Sequence, residues 1–215
     1  MITNNDSSGC AGNVFLIEDD LKLRASLCEI LEFVGYRVYA YSDPKEFLDT
    51  FFELSPAMVL TDVRMPNMSG VELQKELSLR DRKFPFVFIS GESTISQAVE
   101  AVTQGAIAFL IKPFTRESLL TAVAKAISID TERTRASERN FAFKERMSVL
   151  SPRERQVFGL LAQGYNNAEL VDKLGVALST VKEYKSELMF KLGLKTLSQL
   201  ISLSAASVNE TSNKK

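Results

Sequence analysis

The chain has 215 residues, 45% of them apolar, with 26 Lys and Arg against 27 Asp and Glu and no histidine. That length suits one large domain or two small ones with a real core, and no apolar run approaches the roughly 18 residues of a membrane span. The missing histidine excludes His-based triads, most zinc sites and a histidine phosphoacceptor, and two cysteines form no disulfide or metal framework.

The first eleven residues are polar and lack the basic and apolar regions of a signal peptide, so a cytoplasmic chain with reduced thiols is expected. Charge is unevenly spread. Residues 1–127 hold 12 Lys and Arg against 17 Asp and Glu, a balance of −5, whereas 148–205 hold 7 against 5, or +2. An acidic first part and a weakly basic second part suit a regulatory domain joined to one that meets nucleic acid.

Val14-Phe15-Leu16-Ile17 reads as an apolar strand ending in Glu18-Asp19-Asp20. Three adjacent carboxylates repel one another unless a cation or solvent relieves them. Asp20 suits the N-terminus of an amphipathic helix from Leu21 to Phe33. Gly35 ends that helix, Tyr36 to Ala40 makes a short second strand, and Pro44 opens a helix to about Leu54. Met58-Val59-Leu60 reads as a buried strand that delivers Asp62 before Pro66 breaks it. Asn67 and Gly70 make the turn, with Ser69 as N-cap of a helix to about Leu79. Phe84 to Ile89 is a fourth strand ending at Ser90-Gly91, and Glu92 to Gln104 a fourth helix closed by Gly105. Ala106 to Ile111 is a fifth strand, followed by Lys112-Pro113 and a helix from Thr115 to about Ile129. Strands alternating with helices of this length predict an α/β domain with a doubly wound, five-stranded parallel sheet.

Asp62 by itself could be a turn former or a helix cap. A carboxylate at the carboxyl end of a parallel strand, however, sits where open α/β sheets bind ligands. Glu18 and Asp19 stand at the neighbouring strand end, Ser90 and Lys112 at two others. Oxygen ligands of this kind suit Mg²⁺. Together the groups describe a site for adding a phosphoryl group to Asp62: Mg²⁺ and Lys112 offset the charge, and the Ser90 hydroxyl donates to a phosphoryl oxygen.

Residues 13–128 resemble the receiver domain of two-component response regulators, a flavodoxin-like fold. The carrying motifs are Glu18-Asp19, the run from Asp62 through Met65-Pro66 and Met68 to Gly70, Ser90-Gly91, and Gly105-Ala106 through Phe109 to Lys112-Pro113-Phe114. The resemblance implies that Asp62 accepts phosphate from a partner sensor histidine kinase. It implies that Glu18, Asp19, Asp62 and the carbonyl of Arg64 bind Mg²⁺, that Ser90 and Phe109 are the switch pair, and that the Lys112–Pro113 bond is cis. Glu18 departs from the Asp common in the family, a longer carboxylate that still suits a metal.

Residues 129–147 are expected to link two domains. Thr131 to Arg139 is polar on every side, either a solvated extension of the fifth helix or a linker, and Phe141, Phe143 and Met147 return as apolar anchors for the second domain. Ser151-Pro152-Arg153-Glu154 is a capping box with Pro at the first helical position. Its helix shows Val157, Leu160 and Leu161 on one face and ends at Gly164. A second helix runs from Asn167 to Leu174, a third opens at Leu178 or Ser179 and runs to Leu192, and a fourth spans Thr196 to about Ser204. Inward residues of the third are Val181, Tyr184, Leu188 and Leu192. Its outward ones are Ser179, Thr180, Lys182, Glu183, Lys185, Ser186 and Met189. Two helices joined by a short turn suggest a helix-turn-helix, although a protein-docking module has the same outline.

Residues 148–205 resemble the LuxR-type DNA-binding domain of the NarL/FixJ response regulators, on Leu150 to Glu154, Gly164, Asn167 with Glu169-Leu170, Leu174-Gly175, Ser179 to Lys182, and Met189 with Lys191-Leu192-Gly193. The resemblance implies an all-α four-helix domain in which Lys182, Glu183 and Ser186 face bases of duplex DNA. Ser179, Thr180, Lys185 and Lys195 would approach phosphates. Tyr184 stands where the family usually has His, on the packed side. The whole reads as a transcription factor rather than an enzyme, with RNA polymerase a possible further partner. By the family's switch, phosphorylation repacks the fourth helix and fifth strand, carrying Ile95, Val99, Val102 and Ala106, and favours a homodimer. A phosphotransfer intermediate and an enzyme with a phosphoaspartyl intermediate are the alternatives.

Overall fold

The computed structural model describes residues 10–50, 54–79, 83–91, 103 and 105–208. They fall into two compact units divided after Thr134. In the first, β1 (Gly12–Ile17), α1 (Leu21–Phe33), β2 (Tyr36–Tyr41), α2 (Pro44–Thr50), β3 (Ala57–Asp62), α3 (Gly70–Ser78), β4 (Phe86–Ser90) and β5 (Ala108–Ile111) precede a long helix, α4 (Arg116–Ser148). The sheet has five parallel strands in the order β2-β1-β3-β4-β5. Apart from Thr103, the fourth helix expected over 92–104, and with it Ile95, Val99 and Val102, lies outside the described residues.

The period of two along each strand divides the core into two layers. Leu16, Leu60 and Ile89 face α1 and the start of α4, meeting Leu27, Leu31, Leu119 and Val123. Phe15, Val59 and Phe88 face α2 and α3, meeting Phe47, Leu73 and Leu77. The second layer is aromatic: the Phe15 ring lies 5.3 Å from Phe47 and 5.6 Å from both Tyr39 and Phe84, in tilted and edge-on pairings. β3 is buried at all six positions because it runs between β1 and β4 and is covered on both faces. β1 starts at Gly12, two residues earlier than its apolar run suggests. Gly12 takes φ of 148°, a conformation that favours glycine, and a Cβ there would come within 2.8 Å of Ile127 Cδ1 beneath α4.

The polar run 131–139 is helix, continuous with the predicted fifth helix through to Ser148. Its anchorage comes just before the division between units. Asp130, 3% exposed, accepts the Ala57 backbone N–H at 2.8 Å at the foot of β3. Arg133 Nη1 donates to the Lys83 carbonyl at 3.3 Å, and the Ser55 and Thr134 hydroxyls pair.

In the second unit the end of α4 is joined by α5 (Pro152–Ala162), α6 (Asn167–Leu174), α7 (Leu178–Lys191) and α8 (Leu197–Val208). Val157, Leu161, Leu170, Val181, Leu188 and Leu200 form the core. Phe143 and Met147 pack against it, the Phe143 ring 6.1 Å from Phe158. Phe141 does not dock as expected; it is 64% exposed. Two residues from Phe143 it lies about 200° around the helix, so both cannot face one core. Met189, expected to point outward, also packs against the core.

Each of α5 and α6 opens with a capping box, Ser151 with Glu154 and Asn166 with Glu169. Glu154 goes further. It is 1% exposed, accepts the Ser151 N–H at 2.7 Å, and takes the Lys191 ammonium on both oxygens at 2.8 and 2.9 Å. The Lys191 ammonium first, and the Ser151 N–H second, bring its carboxyl down to about 2 from an ordinary 4.5. A carboxylate whose folded value is depressed binds protons better when unfolded. Its contribution is therefore full above about pH 4.5 and lost as pH falls toward 2. Thermal melts should show Glu154→Gln less stable than the parent at neutral pH, with the gap closing between pH 4.5 and 2. A gap that stays constant over that range would mean the ion pair does not contribute.

Candidate functional site

Parallel pairing brings the critical strand ends together. β1 and β3 are neighbours although two helices and a strand separate them in sequence, so Glu18 and Asp19 follow Ile17 beside Thr61 and Asp62. This is where the winding of the sheet reverses and a crevice opens at the carboxyl edge. Glu18 and Asp62 are buried, 1% and 7% exposed, while Asp19 is open to solvent. One carboxylate oxygen from each lies within 4.8 Å of the others, and among the described residues this is the metal-capable grouping. An all-oxygen set without sulfur or imidazole fits a hard divalent cation such as Mg²⁺. Asp20 is committed elsewhere: it caps α1, accepting the Lys22 and Leu23 N–H groups, and those bonds hold its carboxyl below the usual range.

Lys112 reaches the crevice from beyond β5. Its backbone N–H donates to the Ser90 carbonyl at 2.7 Å, extending the β4–β5 pairing by one residue, and the Lys112–Pro113 bond is cis. The ammonium donates to Asp62 Oδ2 at 2.5 Å and to Glu18 Oε2 at 3.1 Å. Desolvation alone would lower the lysine, but the bond to Asp62 and the charges of Glu18 and Asp62 outweigh it and hold it above its ordinary value. Glu18 is pushed up, by burial first and by the Asp62 charge second, against the pull of Lys112. Among the described residues, the buried negative charge thus exceeds the positive charge that Lys112 brings to it.

The loop after β3 fixes the other face of Asp62. Its Oδ1 accepts the Arg64 N–H at 2.9 Å. The Gly70 N–H returns to the Val63 carbonyl at 3.0 Å, and a Cβ on Gly70 would lie 2.3 Å from the Asp62 carbonyl oxygen. Only glycine lets α3 start this close to the strand end. Asn67 takes φ of 68° and donates from Nδ2 to Asp43 Oδ2 at 3.1 Å. Sequence reading identified Asn67 as a turn residue but not Asp43 as its partner 24 positions earlier. Arg24, which also escaped sequence reading, donates from Nη1 to the carbonyls of Glu18 and Asp19.

Ser90 ends β4 fully buried, and its hydroxyl has no hydrogen-bond partner among the described residues. Phe109, in β5, is half-buried with its ring 6.1 Å from Phe88.

The second unit presents a different surface. α6 ends in Gly175 with φ of 64°, and a turn of three residues leads into α7. Along α7, Ser179, Lys182, Glu183 and Ser186 are exposed, whereas Thr180 and Lys185 are half-buried. Tyr184 packs against the core, as its inward position suggests. Lys195 is exposed in the turn before α8, its N–H held by Gln199 Oε1 at 2.7 Å. A helix held on its apolar face and presenting Lys, Ser and Glu fits the second helix of a helix-turn-helix.

A 2-1-3-4-5 sheet with this strand-end chemistry is that of a receiver domain, and the helical unit has the outline of a helix-turn-helix. Comparison with known proteins agrees. Residues 14–124 match the response regulator receiver domain, and 148–204 match the luxR family of bacterial regulatory proteins. Nodulation protein W of Bradyrhizobium diazoefficiens is 36% identical over 191 residues, 89% of this chain and 84% of its own. Transcriptional regulatory protein FixJ of the same organism is 33% identical over 192 residues, 89% and 94% of the two chains. Among solved structures, response regulator StyR superposes with a TM-score of 0.79 at 34% identity, covering 90% of this chain and 98% of that one. The chain belongs to the FixJ-type response regulators, transcriptional regulators that join a receiver to a LuxR-type DNA-binding domain. Among the described residues, no helix is long and apolar enough to cross a membrane.

Proposed function

We propose that Asp62 accepts a phosphoryl group from a sensor histidine kinase in the cytoplasm, and that this event controls dimerisation and sequence-specific binding to duplex DNA. One observation carries the reading: a buried Asp62 at the end of the central strand, its Oδ2 held by Lys112 and its neighbours Glu18 and Asp19 offering further oxygens. Mg²⁺, held by Glu18, Asp19, Asp62 and the Arg64 carbonyl, would supply positive charge to the oxygens of the transferred group. In the transfer, the P–N bond to the kinase's histidine breaks as an Asp62 oxygen bonds phosphorus. Lys112 then pairs with a phosphoryl oxygen as well as with Glu18. The Ser90 hydroxyl donates to another, and Phe109 moves into the space Ser90 leaves.

The same reading gives α7 to the major groove. Lys182, Glu183 and Ser186 face base edges, Glu183 through cytosine N4, while Ser179, Thr180, Lys185 and Lys195 approach phosphates. One helix-turn-helix with a balance of +2 over 148–205 is a modest electrostatic footprint, and two copies on two half-sites double it. RNA polymerase is the partner a DNA-bound regulator of this kind would engage. The dimerisation is tested by light scattering with and without beryllium fluoride and Mg²⁺. The expected result is a mass that doubles when the mimic binds, with tighter retention on DNA. A monomer in both states with unchanged DNA affinity would overturn it.

A further inference from the structure

α7 is held to its domain unevenly. At its N-terminus, Ala177 offers no side-chain cap. Along its length, Val181, Leu188 and the following Leu192 are buried, contacts that are strong but non-directional. The directional hold is at the far end. There Lys191 places its ammonium on both oxygens of Glu154, which is itself fixed in the capping box that starts α5.

We infer that Glu154 is a positioning residue for sequence recognition: through Lys191 it sets the angle at which α7 meets DNA, and thereby how sharply bases are discriminated. This role rests on the DNA-binding reading and deepens it. Lys191 follows Lys182 by nine residues, so the pivot and the base-facing end are separated by about 13 Å along the axis. Over that length a tilt of about 10° displaces the reading end by about 2 Å. Hydrogen bonds to base edges survive only a few tenths of an ångström of error. Phosphate contacts by long flexible side chains follow the backbone and survive it. The pivot therefore bears on specificity more than on general affinity.

A positioning role also accounts for the charge buried by the first helix of this unit. A purely apolar residue at 154 would pack, but it would give up both the cap and the two-pronged contact that resists rotation of α7. Lys191 is 39% exposed along its side chain, so the pair lies at the rim of the core, where water lowers the cost of keeping both charges.

The test uses the full chain with beryllium fluoride and Mg²⁺ and a pool of random duplex DNA, with the enriched sequence then compared with a scrambled duplex of the same length. The parent should enrich a motif. Glu154→Gln, which keeps the cap and the volume, should lose about tenfold in preference for that motif over the scrambled duplex. The salt dependence of its binding to the scrambled duplex should not change. Lys191→Arg, which can restore a two-pronged contact, should retain the preference. Should Glu154→Gln melt below the assay temperature, Lys191→Met carries the same expectation. An equal loss on both duplexes, or an unchanged preference, would overturn the positioning role. A parent that enriches no motif would instead overturn the DNA-binding reading beneath it.

Discussion

Replacing Asp62 with Asn is expected to abolish phosphate incorporation, whether the donor is acetyl phosphate or a partner kinase. An amide has no anionic oxygen to attack phosphorus, and Asp62 is the carboxylate on which Lys112 and the Arg64 N–H converge. The fold should survive the change. Asn is nearly isosteric and can still accept the Arg64 N–H, and Lys112 keeps Glu18 as counter-charge. The substitution even relieves part of the repulsion that pushes Glu18 up. Mass spectrometry after incubation with acetyl phosphate reads the outcome directly, and chelation of Mg²⁺ should give the same loss in the parent. Phosphate found on the substituted protein, at Ser90 or elsewhere, would remove Asp62 from its role.

The second large effect separates two lysines three residues apart on α7. Lys182 is exposed on the face that would enter the groove, and Lys182→Ala should cost about 1–3 kcal/mol on the preferred sequence while relaxing the base preference at one position. Lys185 is half-buried. Lys185→Ala should weaken binding to every sequence and reduce the slope of log affinity against log salt by about one. Titrations at several salt concentrations distinguish the two. If neither substitution changes affinity, α7 is not the recognition helix.

The parts of this molecule legible in its sequence are those in which the signal is local. The buried strands are short apolar runs, and Val14–Ile17, Met58–Leu60 and Phe84–Ile89 each fall in or overlap one of them. Ser151 and Glu154 are local too, and their box formed; Ser69, read as a cap, closes a box with Glu72 as well. Asn166 and Glu169 carry the same pattern, but Asn167 beside them is an equally good helix opener and masked it. What stayed hidden depends on partners far along the chain. Asp130 looks like one more charge on an amphipathic helix, yet its partner is a backbone N–H 73 residues away. Glu154 reads as a cap, and nothing nearby announces Lys191, 37 residues on. The run 131–139 has no apolar stripe, so periodicity could not separate helix from linker there; continuity with a well-anchored helix decided it. In the crevice, the identities of Glu18, Asp19, Asp62 and Lys112 were readable because strand ends of a parallel sheet gather at one edge. That Lys112 would reach past Asp62 to bond Glu18 as well was not.

β3 is secured at both ends by charged groups. Asp130 takes the N–H of its first residue, Lys112 holds the carboxylate of its last, and between them β1 and β4 pair along its two edges. A strand pinned in this way has no slack along its axis. If Asp62 is the proposed acceptor, it is held in place as a donor approaches, and the line of attack on phosphorus would be set by how the donor is steered in. On the proposed reading, the entropy of aligning one reactant has already been lost in folding, so a small phosphate donor would meet the same fixed acceptor as a docked protein would.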